Sequence, residues 1–333
     1  MIHKLSRATT YLETYVIQPQ TGEYQLRSYA TGFFLRASNA ILLVTNWHVV
    51  TGLDPSNPSC AKLPTPQFIK ATVIGKNRFV TELTLPLYGR SMQPQWDEHP
   101  AGSVVDLAIY PLPLALEKHF EFIDIHSAED DANIAETIAK DVFILGYPFS
   151  RQEMTIAFGE DAPYYLPVWK RGSIATEPAV RLGRRVLLID SLSRAGMSGA
   201  PVVIAQDDKL LGAGSHANSD LLAQMLSRQG DFLANLSQID TSALTEQTTK
   251  RFRFLGIYSG TIGSTRLAEV ALGKCWHVDT LLELVTNPRG GEMPFHAPLS
   301  SDHYDAFLAQ IPGGQLTIKD GDGKVIKRTS IRS

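Results

Sequence analysis

Short β-strand patterns, separated by turn signals, occupy most of the 333-residue chain. Two of them, Phe68–Ile74 and Phe79–Leu85, alternate apolar and polar residues on either side of the turn Gly75-Lys76-Asn77. Such runs are rich in β-branched and aromatic residues, which suit a pleated and partly buried surface. Roughly a dozen strands of this kind predict an all-β chain built from barrels or sandwiches.

Three segments depart from this pattern. The stretch "LLAQMLSRQGDFLANLSQ", within Asn218–Lys250, carries apolar residues at helical spacing and predicts a partly helical insertion. The stretch "VDTLLELVT", Val278–Thr286, predicts a short amphipathic helix. Met293–Ser333 is interpreted as a tail that contains a hairpin around "KDGDGK".

Composition limits the classes of partner and compartment. The net charge of −3 argues against a nucleic-acid partner. The chain has no apolar run of about 18 residues and no apolar segment near its N-terminus, so neither a membrane span nor a signal peptide is expected. Cys60 and Cys275 lie far apart, which is typical of reduced thiols. These features predict a cytoplasmic protein.

Neither a metal nor an organic cofactor is expected. The spacing of the two cysteines excludes a zinc framework built on cysteine alone. Four histidines, interpreted as solvated loop residues instead of metal ligands, are His99, His119, His126 and His216.

A histidine, an aspartate and a serine stand in positions suited to catalysis. His48 ends the strand in "ILLVTNWHVV", and Asp106 lies inside the apolar run of "SVVDLAIYPL", where a carboxylate must be hydrogen-bonded to stay ionised. Ser198 lies in "GMSGAP", where Gly196 lets a backbone amide come close and Gly199 removes a neighbouring side chain. A serine, a histidine and a buried acid are the groups that nucleophilic acyl transfer needs.

These stretches resemble the motifs of trypsin-like serine proteases of the chymotrypsin fold. Thr45–His48 matches the family's "T-A-x-H", Asp106–Ile109 matches "D-[LIV]-A-[LIV]", and Gly196–Pro201 matches "G-x-S-G-[GSA]-P". The family's later "G-I-[VY]-S" strand is matched by Gly256–Ser259, and its C-terminal helix by Val278–Thr286. The resemblance is to the intracellular bacterial type, which lacks a zymogen N-terminus.

The resemblance implies two six-stranded antiparallel Greek-key barrels with a C-terminal helix, a partly helical insertion and a C-terminal tail. Applied to this chain, it gives an N-terminal barrel with His48 and Asp106 and a C-terminal barrel with Ser198. The expected boundaries are 8–115 for the first barrel, 116–140 for a connector, 141–290 for the second barrel with its insertion at about 206–250, and 291–333 for the tail.

The resemblance also implies a mechanism. Ser198 would attack a peptide carbonyl, His48 would take its proton, and Asp106 would orient the imidazole. The amides of Gly196 and Ser198 would form the oxyanion hole. The substrate would be a protein or a peptide. Two alternatives stay open: a catalytically silent scaffold that binds peptides, and a regulated protease dedicated to one protein partner in a bacterial stress or anti-phage pathway.

One departure from secreted trypsins concerns activation. Those enzymes have an aspartate just before the nucleophile, which pairs with the newly cut N-terminus, whereas this chain has Met197 there and no "IVGG"-like start. Activation by insertion of the N-terminus is therefore not expected. The oxyanion loop must be preformed, or it must be ordered by substrate, a partner or another segment.

The substrate pocket is less well defined. The resemblance puts Leu192 at the pocket base, which favours a small or apolar residue before the cut. Two stretches then compete as the strand after the nucleophile. If "KLLGAGSHANS" is that strand, His216 lines the pocket, as in picornaviral proteases. If "FRFLGIYSG" is that strand, Ser259, Gly260 and Thr261 line it, and this alternative is favoured because it ends on the expected serine.

Overall fold

Strands dominate the computed structural model of the protein, which describes residues 2–37, 40–61, 65–124, 134–159, 165–183, 185–191, 194–212, 216–227, 235–236, 238–243, 245–261, 272–294, 301–311, 313–320 and 322–331. The N-terminal part contains two short helices, α1 (Lys4–Ala8) and α2 (Trp47–Thr51). Its ten strands are β1 (Thr9–Ile17), β2 (Tyr24–Ala37), β3 (Ala40–Thr45), β4 (Leu53–Asp54), β5 (Asn57–Ala61), β6 (Phe68–Ile74), β7 (Val80–Pro86), β8 (Asp97–Glu98), β9 (Ala108–Leu112) and β10 (Ile123–Asp124).

The C-terminal part forms a closed barrel with the strand order β11-β12-β13-β16-β15-β14. Its strands are β11 (Asp141–Gly146), β12 (Val168–Ile174), β13 (Val186–Asp190), β14 (Pro201–Gly212), β15 (Thr245–Thr261) and β16 (Leu272–His277). Among the described residues, the α-helices with given bounds in this part of the sequence are α3 (Arg151–Phe158), α4 (His216–Leu226) and α5 (Val278–Thr286).

The end of the chain returns to the N-terminal sheet. It supplies β17 (Arg289–Gly290), α6 (Asp302–Gln310), β18 (Gln315–Lys319) and β19 (Val325–Ser330). The sheet runs in the order β17-β8-β9-β3-β2-β1-β6-β7-β18-β19, with β10 paired beside β2. The β18–β19 hairpin has the position expected around "KDGDGK".

Helix α6 explains why the tail packs against this sheet. Tyr304, Phe307 and Leu308 have the i, i+3, i+4 spacing of one helix face, and all three are buried. Phe307 lies against Phe68 with ring centroids 4.7 Å apart, and Tyr304 Oη donates to the Tyr88 carbonyl at 2.7 Å. Residues described as a tail from the sequence therefore contribute to the core of the N-terminal sheet.

The all-β, chymotrypsin-like fold class is confirmed. The C-terminal barrel has the six strands that were expected. The N-terminal sheet has eleven strands instead of six: β17, β18 and β19 come from the chain after the second barrel, and the other eight come from the chain before it. The described helices include none long and apolar enough to cross a lipid bilayer.

The chain divides into two compact units. The first contains Met1–Ile204 and Arg253–Ser333, and so includes the N-terminal sheet, most of the barrel and the tail. The second is Ala205–Phe252, which contains the far part of β14, helix α4 and the first part of β15. The segment expected as an insertion, about 206–250, falls in this second unit.

Candidate active site

The register of two antiparallel strands brings His48 to Asp106. Thr45, the last residue of β3, pairs with Ala108, the first residue of β9. The chain therefore leaves β3 at the same edge of the sheet where it enters β9. Asn46 strengthens this corner, since its Nδ2 donates to the Asp106 carbonyl at 2.7 Å. His48 then falls in the first turn of α2, beside Asp106.

Asp106 is a buried acid with its oxygens occupied. It is 1% exposed, and its Oδ2 lies 2.8 Å from His48 Nδ1. Its Oδ1 accepts the backbone N–H of His48 at 2.9 Å. Ser259 Oγ donates to Oδ2 at 2.5 Å. The carboxylate holds the proton of the imidazole on Nδ1, which leaves Nε2 as an acceptor.

The Ser198 turn depends on two glycines. Gly196 has φ +90° and Gly199 has φ +85°, a region of backbone conformation that other residues rarely adopt. A Cβ at Gly196 would overlap the carbonyl oxygen of Tyr147, and one at Gly199 would overlap the carbonyl oxygen of Thr31. These positions therefore require glycine on two independent grounds. Ser198 itself is half-buried.

Strand β15 connects the serine turn to the acid. The Gly199 amide donates to the Tyr258 carbonyl at 2.9 Å, and the Tyr258 amide donates to the Ala200 carbonyl at 2.8 Å. The next residue in β15 is Ser259, whose hydroxyl bonds Asp106. One strand thus fixes the nucleophile turn and the acid together. Within the described residues, no hydrogen bond joins Ser198 Oγ to His48 Nε2, a contact that tends to be long in enzymes without substrate.

The turn also presents backbone donors. In the portion of the chain that the structure covers, neither the Gly196 amide nor the Ser198 amide donates to a backbone carbonyl. The carbonyls of the same two residues are occupied, because both accept from Thr31 on β2. An oxyanion hole is built from backbone N–H groups that are not used in this way.

The residues expected to line the substrate pocket have different positions. The Ser259 hydroxyl lies on Asp106 and is buried. Gly260 and Thr261 end β15, where Gly260 has φ +78° and Thr261 is exposed. Leu192 lies outside the described residues. His216 begins α4 in the second unit, and its side chain also lies outside them.

A buried carboxylate that the sequence did not single out supports the His48 helix. Glu98 is 1% exposed, and its Oε2 accepts the Trp47 indole N–H at 2.8 Å. Burial raises the pKa of Glu98, against the opposing effects of the Trp47 hydrogen bond and the Arg289 charge. Glu98 lies in a strand of only two residues, so its sequence context does not distinguish it from an acidic residue on the surface.

One of the histidines interpreted as solvated is buried. His99 is 2% exposed and its Nε2 lies 3.0 Å from Glu283 Oε2, so the expectation of a solvated loop residue is wrong for it. His119 is partly exposed, and His126 lies outside the described residues. The described part of the chain contains no cluster of His, Cys, Asp and Glu that could hold a metal ion.

Comparison with known proteins gives one match. The sequence profile of the trypsin-like peptidase domain matches residues 30–212, which is more than half of the chain. The matched range contains His48, Asp106 and Ser198. No curated protein matches the chain.

Proposed function

Because the chain belongs to the trypsin-like peptidase family, we propose that it is a serine endopeptidase with Ser198 as nucleophile and His48 as general base. The observation that carries this proposal is the buried Asp106 carboxylate, whose Oδ2 lies within hydrogen-bond distance of both His48 Nδ1 and Ser259 Oγ. The carboxylate orients the imidazole, and β15 links Asp106 to the Ser198 turn through Ser259 and Tyr258, so a base and a serine are held on connected elements.

The proposed reaction has two stages. His48 Nε2 takes the Ser198 hydroxyl proton as Oγ attacks the peptide carbonyl, and the same proton then passes to the leaving amine. The C–N bond breaks and an acyl ester remains on Ser198. Water, activated by the same imidazole, attacks the ester and releases the carboxylic acid. Asp106 stabilises the imidazolium that forms in each stage and stays ionised throughout.

The amides of Gly196 and Ser198 are proposed as the oxyanion hole. A tetrahedral intermediate places negative charge on the former carbonyl oxygen, and two backbone donors beside the nucleophile stabilise it. The substrate is proposed to be a protein or a peptide. A preference for a small or apolar residue before the cut stays a prediction from Leu192.

The test compares Ser198→Ala with a matched serine variant. Ser173→Ala is a suitable control, because Ser173 is also half-buried and lies on β12 of the same barrel. Wild type and Ser173→Ala should react with a fluorophosphonate probe and cut members of a peptide library, and the library profile would report the pocket preference. Ser198→Ala should do neither, with a loss of roughly 10⁶-fold in rate.

Two outcomes would contradict this proposal. Unchanged cleavage by Ser198→Ala would show that another residue is the nucleophile. Absence of labelling in folded wild type, alone or with candidate partners, would favour a scaffold that binds peptides without cutting them. If the wild type leaves a general substrate such as casein uncut but cuts one native protein, and Ser198→Ala cuts neither, the protein would be a protease dedicated to that partner.

A further inference from the structure

Thr31 on β2 makes three polar contacts around the Ser198 turn. Its side chain is completely buried. Its backbone amide donates to the Ser198 carbonyl at 2.9 Å, and its Oγ1 donates to the Gly196 carbonyl at 2.7 Å. The same Oγ1 accepts the Tyr147 amide at 3.1 Å, so the direction of its hydroxyl proton is set toward Gly196.

These contacts help to fix the orientation of the peptide N–H and C=O groups in the turn. An oxyanion site works only if N–H groups, and no carbonyl oxygens, face the developing charge. Gly196 has no side chain to restrict its peptide planes, so a rotation there could direct a carbonyl into the site. The two carbonyls bonded to Thr31 belong to the peptide units that directly follow the Gly196 and Ser198 amides, so these bonds fix the C-terminal side of each donor residue, and a rotation of the turn that moves these carbonyls would break a buried hydrogen bond and leave its partners unsatisfied.

Met197 also anchors the turn. It is 1% exposed and belongs to the apolar core of the C-terminal barrel. A Cβ at Gly146 would come within 2.9 Å of Met197 Sδ, which shows how closely the two pack. The residue before the nucleophile is therefore held by apolar contact and needs no ion pair.

Thr31 also contacts the strand that leads to the base. Thr45 Oγ1 donates to the Thr31 carbonyl at 2.9 Å, and Thr45 lies three residues before His48. The Thr31 backbone and hydroxyl thus join the N-terminal sheet, which carries His48, to the turn that carries Ser198.

We propose that Thr31 is a positioning residue that keeps the oxyanion loop of this chain preformed in the free protein. The proposal rests on the serine peptidase function above. In zymogens, an inserted N-terminus orders the oxyanion loop. In this chain, the Thr31 hydroxyl and the buried Met197 would order it instead. The Thr31 side chain touches no reacting atom and acts only through the Gly196 peptide.

The central test compares Thr31→Val with Thr31→Ser. Valine keeps the shape and the backbone amide but removes the hydroxyl, whereas serine keeps the hydroxyl. The rate of fluorophosphonate labelling at Ser198 should fall at least about tenfold in Thr31→Val, since the hydroxyl's bond to the Gly196 carbonyl and its bond from the Tyr147 amide are both lost. It should stay within about threefold of wild type in Thr31→Ser, which retains the hydroxyl. With a cleaved peptide, the loss should lie in kcat and leave KM nearly unchanged.

Thr10→Val is the matched control. Thr10 is equally buried, and its hydroxyl donates to the Thr72 carbonyl at 3.0 Å, away from the turn. It should label at the wild-type rate. The final labelled fraction should be the same in all variants, because slow labelling of every molecule distinguishes positioning from partial unfolding. Labelling of Thr31→Val at the wild-type rate, or a reduced final fraction with an unchanged rate, would overturn the proposal.

Amide hydrogen exchange of the unlabelled wild type gives a second measurement that needs no variant and no catalysis. The Gly199 and Ala200 amides are hydrogen-bonded in the turn, so a preformed loop predicts slow exchange at both. Fast exchange there would overturn the proposal even if Thr31→Val failed to fold. Slow exchange in a wild type that never labels would instead contradict the peptidase function and leave the preformed loop standing.

Discussion

The N-terminal sheet and the C-terminal barrel contribute to the candidate site in different ways. The sheet places His48 and Asp106 through strand register, because Thr45 pairs with Ala108 and the two functional residues follow at the same edge. The barrel places Ser198 on a turn between strands, at two glycines with positive φ. His48 and Asp106 are thus held by a ladder of backbone hydrogen bonds, and Ser198 by a few specific contacts.

This difference predicts two kinds of sensitivity. Substitutions at the histidine–aspartate pair should change the chemistry and leave the fold intact, since β3 and β9 are fixed by their own pairing. Substitutions at the serine turn should disturb its geometry first, because its shape depends on absent side chains and on contacts with Thr31 and β15. The predictions below test that distinction.

The largest effect is expected for Asp106→Asn. Asparagine puts an NH2 donor in place of one carboxylate oxygen, so it cannot accept together from His48 Nδ1, the His48 backbone N–H and Ser259 Oγ as the carboxylate does, and the imidazole loses its tautomer. The rate of Ser198 labelling should fall about 10⁴-fold, the size of effect known for this substitution in a serine protease triad. Circular dichroism should show an unchanged fold.

Asp141→Asn serves as the control for Asp106→Asn. Asp141 pairs with Arg171 at 2.7 Å on the surface of the barrel, where an ion pair contributes little. It should label at the wild-type rate. A similar loss in both variants, or a collapse of the fold in Asp106→Asn, would contradict the view that strand register alone positions this pair.

A smaller but still large effect is expected for Gly196→Ala. The new Cβ would overlap the Tyr147 carbonyl oxygen, so the turn must shift and the oxyanion donors with it. Loss of one such donor costs about 10²- to 10³-fold in rate. Gly159→Ala is the control, since Gly159 also has positive φ, +88°, but no atom would lie within 4 Å of its Cβ.

Gly196 has φ +90° and Gly159 has φ +88°, so both alanine variants carry backbone strain and only Gly196→Ala adds the overlap. Melting temperatures and labelling rates together separate the two effects. Gly159→Ala should lose some stability and no activity. Equal labelling rates for the two would show that the turn tolerates a side chain, and that the barrel positions Ser198 as firmly as the sheet positions His48.

The family motifs were readable from the sequence because each is local. Gly196 and Gly199 were noted for their lack of side chains, and the structure shows the overlaps that a Cβ would cause. The closed six-stranded barrel also followed from the strand pattern and the resemblance. Local signals therefore predicted the fold class, and they point to His48, Asp106 and Ser198 as the candidate catalytic residues, whose roles stay predictions.

The features that the sequence analysis did not predict depend on contacts between residues far apart in the sequence. Thr31 resembles any threonine in a strand, since threonine favours β structure, and its partners at Gly196 and Ser198 appear only in three dimensions. The pairing of β18 with β7 joins the end of the chain to the first sheet, and no periodicity predicts that partner. Ser259 was expected near substrate because of its motif, whereas its hydroxyl lies on Asp106.

The smallest effect is expected in the pH dependence of stability, where the two regions should differ in sign. Burial alone would raise the pKa of Glu136 in the barrel, but the His277 hydrogen bond and the His277, Arg253 and Arg181 charges hold that pKa below its ordinary value. Burial raises the pKa of Glu98 beside Trp47 in the sheet. A carboxylate whose pKa falls on folding stabilises the protein above its unfolded pKa, and that stabilisation disappears as the pH drops.

The opposite holds for Glu98, whose contribution is most favourable below its unfolded pKa and is lost as the pH rises through its folded value. Melting temperatures from about pH 3 to pH 7 should therefore fall less steeply toward acid in Glu136→Gln than in wild type, and more steeply in Glu98→Gln. Glutamine keeps the size of each side chain and removes its charge and its titration, so the slope of the melting temperature with pH, and not its absolute value, is compared. If the melting temperatures of both variants changed with pH in parallel with those of wild type, neither carboxylate would change its proton binding on folding. The sheet and the barrel would then differ only in how they position the site.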